Sequence, residues 1–347
     1  MKSLKEVHNT LNAHVPWYRQ HPHRVLAGVL AAIAILVGLC LMPSGSSHSG
    51  LTAEEQAQRD SAALHVALMP VHDCFPAFYA QRMGIYDRLG LDLRILTLQA
   101  QLDTDTALTR GRAELIYSDL ARAIFMQQDT TPLRAVAATE GTLQLITARR
   151  GRVRQLNQLK ERMVAVARHS ITDYWSDRLT DTARMARADI FRPQINNVRI
   201  RTDMLCNGTM DAAFLPSPFA EEALLRGNTL NFTTRDLSPC LTAFVATEKA
   251  ATDTTRQRQI RLFLQGYDEA VEALNKGGIR DTLVAMYKQL FMTPDTLVDS
   301  ILRATPRYTP IAAPQQSDAE AALQWLKSRG KVKKGYSADS LLLPLTR

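Results

Sequence analysis

From Leu64 to about residue 236 the chain alternates short apolar runs with stretches of helical spacing, and it does so twice. In the first run, 65–70, 91–98, 113–118, 133–139 and 143–149 read as strands, and 75–90, 102–110 and 119–128 as helices. The pattern restarts at 153, with strands at 163–167, 196–201, 211–216 and 229–234 and helices at 171–188, 204–207 and 219–226. Short strands separated by helices pair through crossovers, so the sheets are expected to be largely parallel and the class α/β. Two segments echo each other. GRAELIYSDLARA (111–123) and GTMDAAFLPSPF (208–219) both open on Gly and place an acid three residues on, at Glu114 and Asp211. Both then run apolar and meet a serine, Ser118 or Ser217, before a helical stretch. One long doubly wound sheet is the alternative; the echo favours two lobes around a central cleft. A strand at 241–247 and helical stretches at 253–276, 279–291, 294–303 and 317–329 follow. This tail is expected to pack back on the first lobe, giving lobe one as 64–149 plus 241–347 and lobe two as 150–240.

The second constraint lies at the other end. Val25 to Met42 is free of charge and, as a helix, spans about 27 Å, close to the thickness of a bilayer's hydrocarbon. Basic residues precede it and almost none follow closely, so residues 1–24 are expected to stay cytoplasmic and the main domain to lie outside the cytoplasm. The reading is a transmembrane signal-anchor at 25–42 and a tether at 43–63, whose small polar residues suit a linker. A cleaved signal is the alternative, although its apolar core is usually shorter. A lipoprotein signal fails because Leu39 precedes Cys40.

Net charge is +8, of which the first 24 residues supply three, with no later block of like charge. That balance suits an anionic ligand better than nucleic acid, and basic residues do not interleave with aromatics as single-strand binders require. Cys74, Cys206 and Cys240 lie beyond the apolar segment; three is odd, so at least one thiol is free. No C-x-x-C or H-E-x-x-H spacing occurs, so no metal or other cofactor is expected. No G-x-S-x-G, G-x-G-x-x-G or Walker pattern occurs either, and the expected activity is binding rather than catalysis.

In open α/β sheets ligands sit beyond the carboxyl ends of strands, where helix N-termini present free N–H groups. The candidates are therefore Asp73, Cys74 and Phe75 after the first strand, and Ser118 and Asp119 after the third. Glu140, beside Gly141, joins them at a later strand end. In the second run they are His169 and Ser170, then Pro216 and Ser217. Each also has a local explanation: Ser118, Asp119, Ser170 and Ser217 suit helix N-caps, and Phe75 suits a core. If the echo is structural, Ser118 and Ser217 face each other across one ligand.

HVALMPVHDCFPAFYAQRMGIYDRLGLDLRI (65–95) resembles the opening of substrate-binding proteins of nitrate-, sulfonate- and taurine-type ABC transporters, through Ala80, Gly84 and Gly90-Leu91-Asp92-Leu93. GRAELIYSDLARA is similar to that family's Gly-x-x-Asp strand and ligand-facing turn, with Glu114 in place of Asp. Asp211-Ala212-Ala213 leading into Pro216-Ser217-Pro218-Phe219 resembles its second-lobe counterpart. The likeness covers roughly 64–247 and extends equally to the branch that binds thiamine-pyrimidine precursors. It implies a type II periplasmic-binding-protein fold, a small-molecule solute (sulfonate, nitrate, bicarbonate or a pyrimidine) in the cleft, and an ABC permease as partner. A sensory ectodomain of the same fold is the alternative, and an enzyme of thiamine-pyrimidine metabolism a weaker one, since the cysteine-rich motif of those enzymes is missing.

Overall fold

The computed structural model of the protein describes residues 60–128 and 131–346. Its first sheet contains β1 (Leu64–Leu68), β2 (Leu93–Thr97), β3 (Leu115–Asp119), β4 (Leu133–Ala138) and β9 (Thr242–Thr247), in the order β2-β1-β3-β9-β4. β1 lies parallel to β2 and β3, and β9 antiparallel to β3 and β4. The second sheet contains β5 (Leu143–Thr147), β6 (Val164–Ala165), β7 (Ala212–Pro216) and β8 (Thr229–Thr233), in the order β6-β7-β5-β8. The chain crosses between sheets twice, from β4 to β5 and from β8 to β9. β9 runs against its neighbours because it re-enters the first sheet at the end where β3 finishes: Thr242 pairs with Asp119.

Helices fill the connections: α1 (Phe75–Arg82), α2 (Ile85–Arg88), α3 (Gln101–Thr109) and α4 (Leu120–Gln127) around the first sheet, then α5 (Ile171–Thr182), α6 (Val198–Cys206) and α7 (Phe219–Leu225) around the second. α8 (Glu248–Thr252), α9 (Thr254–Lys276), α10 (Arg280–Phe291), α11 (Val298–Ala304) and α12 (Gln316–Ser328) form the tail. β3 is buried along its whole length, as a central strand covered on both faces must be, which explains its nearly unbroken apolar reading. α9 and α12 return to the first sheet's helices, packing on α1 and α4 respectively.

The two-lobe α/β arrangement is as expected, but the sheets are mixed rather than largely parallel, because β9 and β5, the strands that follow the two crossings, run against their neighbours. Three local expectations are also corrected. Residues 196–201 form no strand. α6 begins at Val198, capped by the Asn197 side chain, which accepts from the Ile200 amide at 3.0 Å. Val198, Thr202 and Leu205 are buried at helical spacing, and the apparent alternation of Val-Arg-Ile was too short to settle the period. The helix expected over 171–188 stops at Thr182, and Arg184 then takes a left-handed conformation with φ 53°. Finally, 143–149 does not belong to the first lobe: β5 lies between β7 and β8 in the second sheet, so the chain changes lobe before Leu143. The expected anchor at 25–42 lies outside the described residues. Among the described residues no helix is long and apolar enough to cross a membrane.

Candidate functional site

The strand ends converge on a cavity of about 50 Å³ between the sheets. The first lobe lines it with Asp73, Gln101 and Tyr117, the crossovers with Gly141, Thr142 and Thr242, and the second lobe with Ser170, Thr172, Asn196, Arg201 and Pro216.

Arg201 is the unusual member. Its side chain reaches inward from α6 and is only 3% exposed. Nε and Nη2 donate to the Ile195 carbonyl at 3.0 and 2.8 Å, and Nη1 donates to the Phe214 carbonyl at 2.9 Å. Those three bonds fix the plane of the guanidinium and leave two of its five N–H groups uncommitted. Among the described residues no carboxylate lies within ion-pair distance of it. Burial alone therefore acts on its titration and pushes the pKa down to about 10. A buried cation with only carbonyls for company is costly, and such charges are normally paired.

Asp73 holds the opposite wall. One carboxylate oxygen accepts from the Tyr117 hydroxyl at 3.0 Å, the Thr139 hydroxyl at 2.6 Å and the Gly141 amide at 3.1 Å. Thr139 in turn lies 2.8 Å from the Thr242 hydroxyl. One oxygen of Asp73 thus gathers the start of the first crossover directly and, through Thr139, the end of the second. Gly141 is required there: its φ is +56°, and an added Cβ would sit 2.0 Å from Oγ1 of Thr242. Burial first, and the neighbouring Asp73 next, push the Tyr117 hydroxyl well above its usual range, so it stays a donor.

Five of the remaining sequence candidates lie at or beside the cavity. Ser170 and Pro216 line the cavity together with Asp73; Ser170 also caps α5, accepting from the Thr172 amide at 3.2 Å. Asp119 and His169 join the lobes beside the cavity. Asp119 accepts from the Arg122 amide at 2.7 Å, capping α4, and from the Ile171 amide at 3.1 Å at the start of α5. Its burial outweighs those bonds and raises its pKa to about 7. The His169 ring stacks on Phe125 with centroids 4.3 Å apart, and burial lowers its pKa. Ser118 is one bond removed, accepting from the Gln101 amide nitrogen at 2.9 Å.

Four candidates lie away from the cavity. Cys74 and Phe75 are fully buried, and Phe75 packs against Tyr287, Phe291 and Tyr308. The chain turns so tightly after β1 that only Asp73 of the three faces inward. Glu140 is exposed and bonds the Thr309 hydroxyl. Ser217 is buried and donates to the Glu221 carboxylate at 2.8 Å, which Gln144 also reaches at 3.0 Å. Its own carbonyl accepts from the His72 amide of the first lobe at 3.0 Å. Ser118 and Ser217 therefore do not meet across the cavity.

Sequence reasoning missed Arg201, Gln101, Thr139 and Thr172. Thr139 ends the apolar run 133–139 and Gln101 lies between the run 91–98 and the helix expected from 102, so both sit near the strand ends that selected the other candidates. Arg201 carries no comparable mark, because an arginine in a polar-apolar alternation reads as a solvated face.

A model of the family described as NMT1/THI5 like matches residues 72–276. Among solved structures, the fold is similar to the periplasmic aliphatic sulphonate-binding protein SsuA of Escherichia coli, at 17% identity and TM-score 0.66, over 82% of this chain and 92% of that one. It is also similar to the periplasmic nitrate-binding protein NrtA of Synechocystis PCC 6803, at 12% identity and TM-score 0.67, over 81% and 86%. A third is the ligand-binding component of an ABC-type import system from Staphylococcus aureus, with zinc bound, at 14% identity and TM-score 0.65, over 81% and 96%. A sequence search of curated proteins finds no match.

Proposed function

The chain belongs to the NMT1/THI5-like family, and from that premise we propose that it is the solute-binding component of an ABC importer, closing on a small anion between its lobes. The observation that carries the reading is Arg201. It is a buried, immobilised guanidinium in the cleft wall with two N–H groups to spare and, among the described residues, no anion to neutralise it. A bound oxyanion supplies the missing charge through charge-assisted hydrogen bonds. Gln101, Thr142, Ser170 and Thr172 surround the same space with amide and hydroxyl groups suited to the anion's other oxygens. The cavity has room for a group of a few heavy atoms, which favours nitrate, bicarbonate or the head of a short sulfonate over a heteroaromatic ring.

Entry requires the lobes to part about the two crossovers, a hinge motion in which Asp73 keeps both strands in register. Closure then joins the Asp119 carboxylate to the first amide of α5 and the Ser217 carbonyl to the His72 amide. The relatives named above are binding proteins, which supports capture rather than turnover. The segment 25–42 would hold the main domain at the outer face of the membrane, beside a permease.

The test is a thermal-shift panel on the full-length chain with nitrate, bicarbonate, ethanesulfonate and an aminopyrimidine. A ligand at a hundred times its Kd adds about 2.7 kcal/mol of stability. Stabilisation by at least one of the anions is expected. No shift with any anion, or a shift with the aminopyrimidine alone, would overturn the anion reading.

A further inference from the structure

A second concave site lies outside the cleft, a pocket of about 430 Å³. The second lobe lines it with Arg168, His169, Arg187 and Arg192; Arg329 and Lys331, just after α12, close it from the other side. α12 itself packs on α4 of the first lobe, so the walls come from both lobes. Beneath the cations lies Asp177, which Arg187 reaches at 2.8 Å, Arg329 at 2.6 Å, Arg192 at 3.2 Å and the Trp325 indole nitrogen at 2.9 Å. Asp173 adds a second carboxylate, 3.5 Å from Arg187 and 3.6 Å from Arg329.

Three of the five cations share these two carboxylates, and the five together carry an excess of three positive charges over them. Among the described residues, neither Arg168 nor Lys331 has a carboxylate within ion-pair distance. The His169 ring nitrogen Nδ1 is buried and, among the described residues, has no hydrogen-bond partner. Solvated surface cations ordinarily diverge, and their mutual repulsion sends them apart. Here Arg187, Arg192 and Arg329 are instead held converging by their common carboxylate.

We propose that this pocket binds a small multivalent oxyanion of the phosphate type, bridging the second lobe to the C-terminal segment. A monovalent anion leaves most of the excess charge uncompensated, whereas a diphosphate-sized group matches the charge and fits within the volume. Planar guanidinium forks suit phosphate oxygens, and pre-paired arginines lose little freedom on binding. The site is separate from the Arg201 cavity and does not depend on what that cavity binds.

The experiment is calorimetric titration of the full-length chain with inorganic diphosphate at low ionic strength. It is repeated on Arg168→Ala/Lys331→Ala and on Arg201→Met. The first variant alters only exposed side chains that form no ion pair among the described residues, so its fold and its cleft are expected to be retained. The expected result is binding to the wild type that weakens about tenfold or more in the double variant and is unchanged in Arg201→Met. A parallel arm uses phosphatidylcholine vesicles with and without phosphatidic acid. Variant-sensitive binding to the acidic vesicles alone assigns the same phosphate chemistry to a lipid headgroup. The proposal is overturned if the wild type binds neither probe, or if Arg201→Met abolishes binding while the double variant keeps it.

Discussion

Replacing Arg201 with methionine separates the two things that residue does. Burial moves its pKa from 12.5 to about 10. At about 1.4 kcal/mol per unit, the folded chain spends about 3 kcal/mol holding the charge. For a base with a lowered folded pKa, that cost applies throughout the range below about pH 10, including neutrality. Methionine removes it. The substitution also strips donors from the Ile195 and Phe214 carbonyls, at about 1–3 kcal/mol each if both stay dry. These terms oppose each other, so the unliganded Tm is expected to shift by only a few degrees. Anion binding behaves differently. Removing one member of a buried charge pair costs about 3–5 kcal/mol, or roughly a 10²–10³-fold or greater rise in Kd. Calorimetry with whichever anion stabilises the wild type, alongside melting of the free protein, reads both quantities. Arg201→Lys keeps the charge without the planar fork and is expected to fall between the two. An unchanged Kd in a folded Arg201→Met protein would refute the reasoning, because it would make the guanidinium a structural clamp only.

Asp119 links stability to pH. Its folded pKa of about 7 lies above the usual 3.8, so its contribution is fully present below about pH 4 and is lost as pH rises through 7. Asp119→Asn is expected to flatten the urea-unfolding free energy between those limits; an unaltered slope would count against this assignment. Gly141→Ala forces a Cβ into Thr242 at a left-handed φ, and is expected to cost roughly 2–4 kcal/mol by chemical denaturation. Phe75→Ala is expected to cost about 3–5 kcal/mol through the cavity left among Tyr287, Phe291 and Tyr308. Anion affinity of the molecules that remain folded should be retained, and a selective loss of affinity would return Phe75 to the binding site.

The strand positions were legible because burial leaves a local trace. β1, β3, β7 and β9 are continuous apolar runs bounded by Pro, Gly or a capping residue, and the structure places each within a residue or two of its sequence position. The two-run alternation likewise carried the two-lobe architecture. Where the trace was short, it misled: Asn196 to Arg201 alternates like a strand, yet the cap at Asn197 and the buried row Val198, Thr202 and Leu205 make it helical. The site was half legible for the same reason. The rule that strand ends face ligands found Asp73, Ser170 and Pro216, but it selected Ser217 and Phe75 with equal force.

What the chain determines by itself is which segments are strands and helices and which face of each is apolar, since periodicity is written within a few neighbouring residues. What only the tertiary structure decides is which distant groups become partners. Asp73 meets Thr139 and Gly141 across some seventy residues of chain, and Ser217 turns to Glu221 rather than to Ser118. Arg201 is an ordinary arginine in the sequence. It becomes a buried cation without an ion-pair partner among the described residues because the fold wraps the Ile195 and Phe214 carbonyls around it and brings none of their carboxylates near. Charge and hydrogen bonding act through space, so their balance is set by topology rather than by any local pattern.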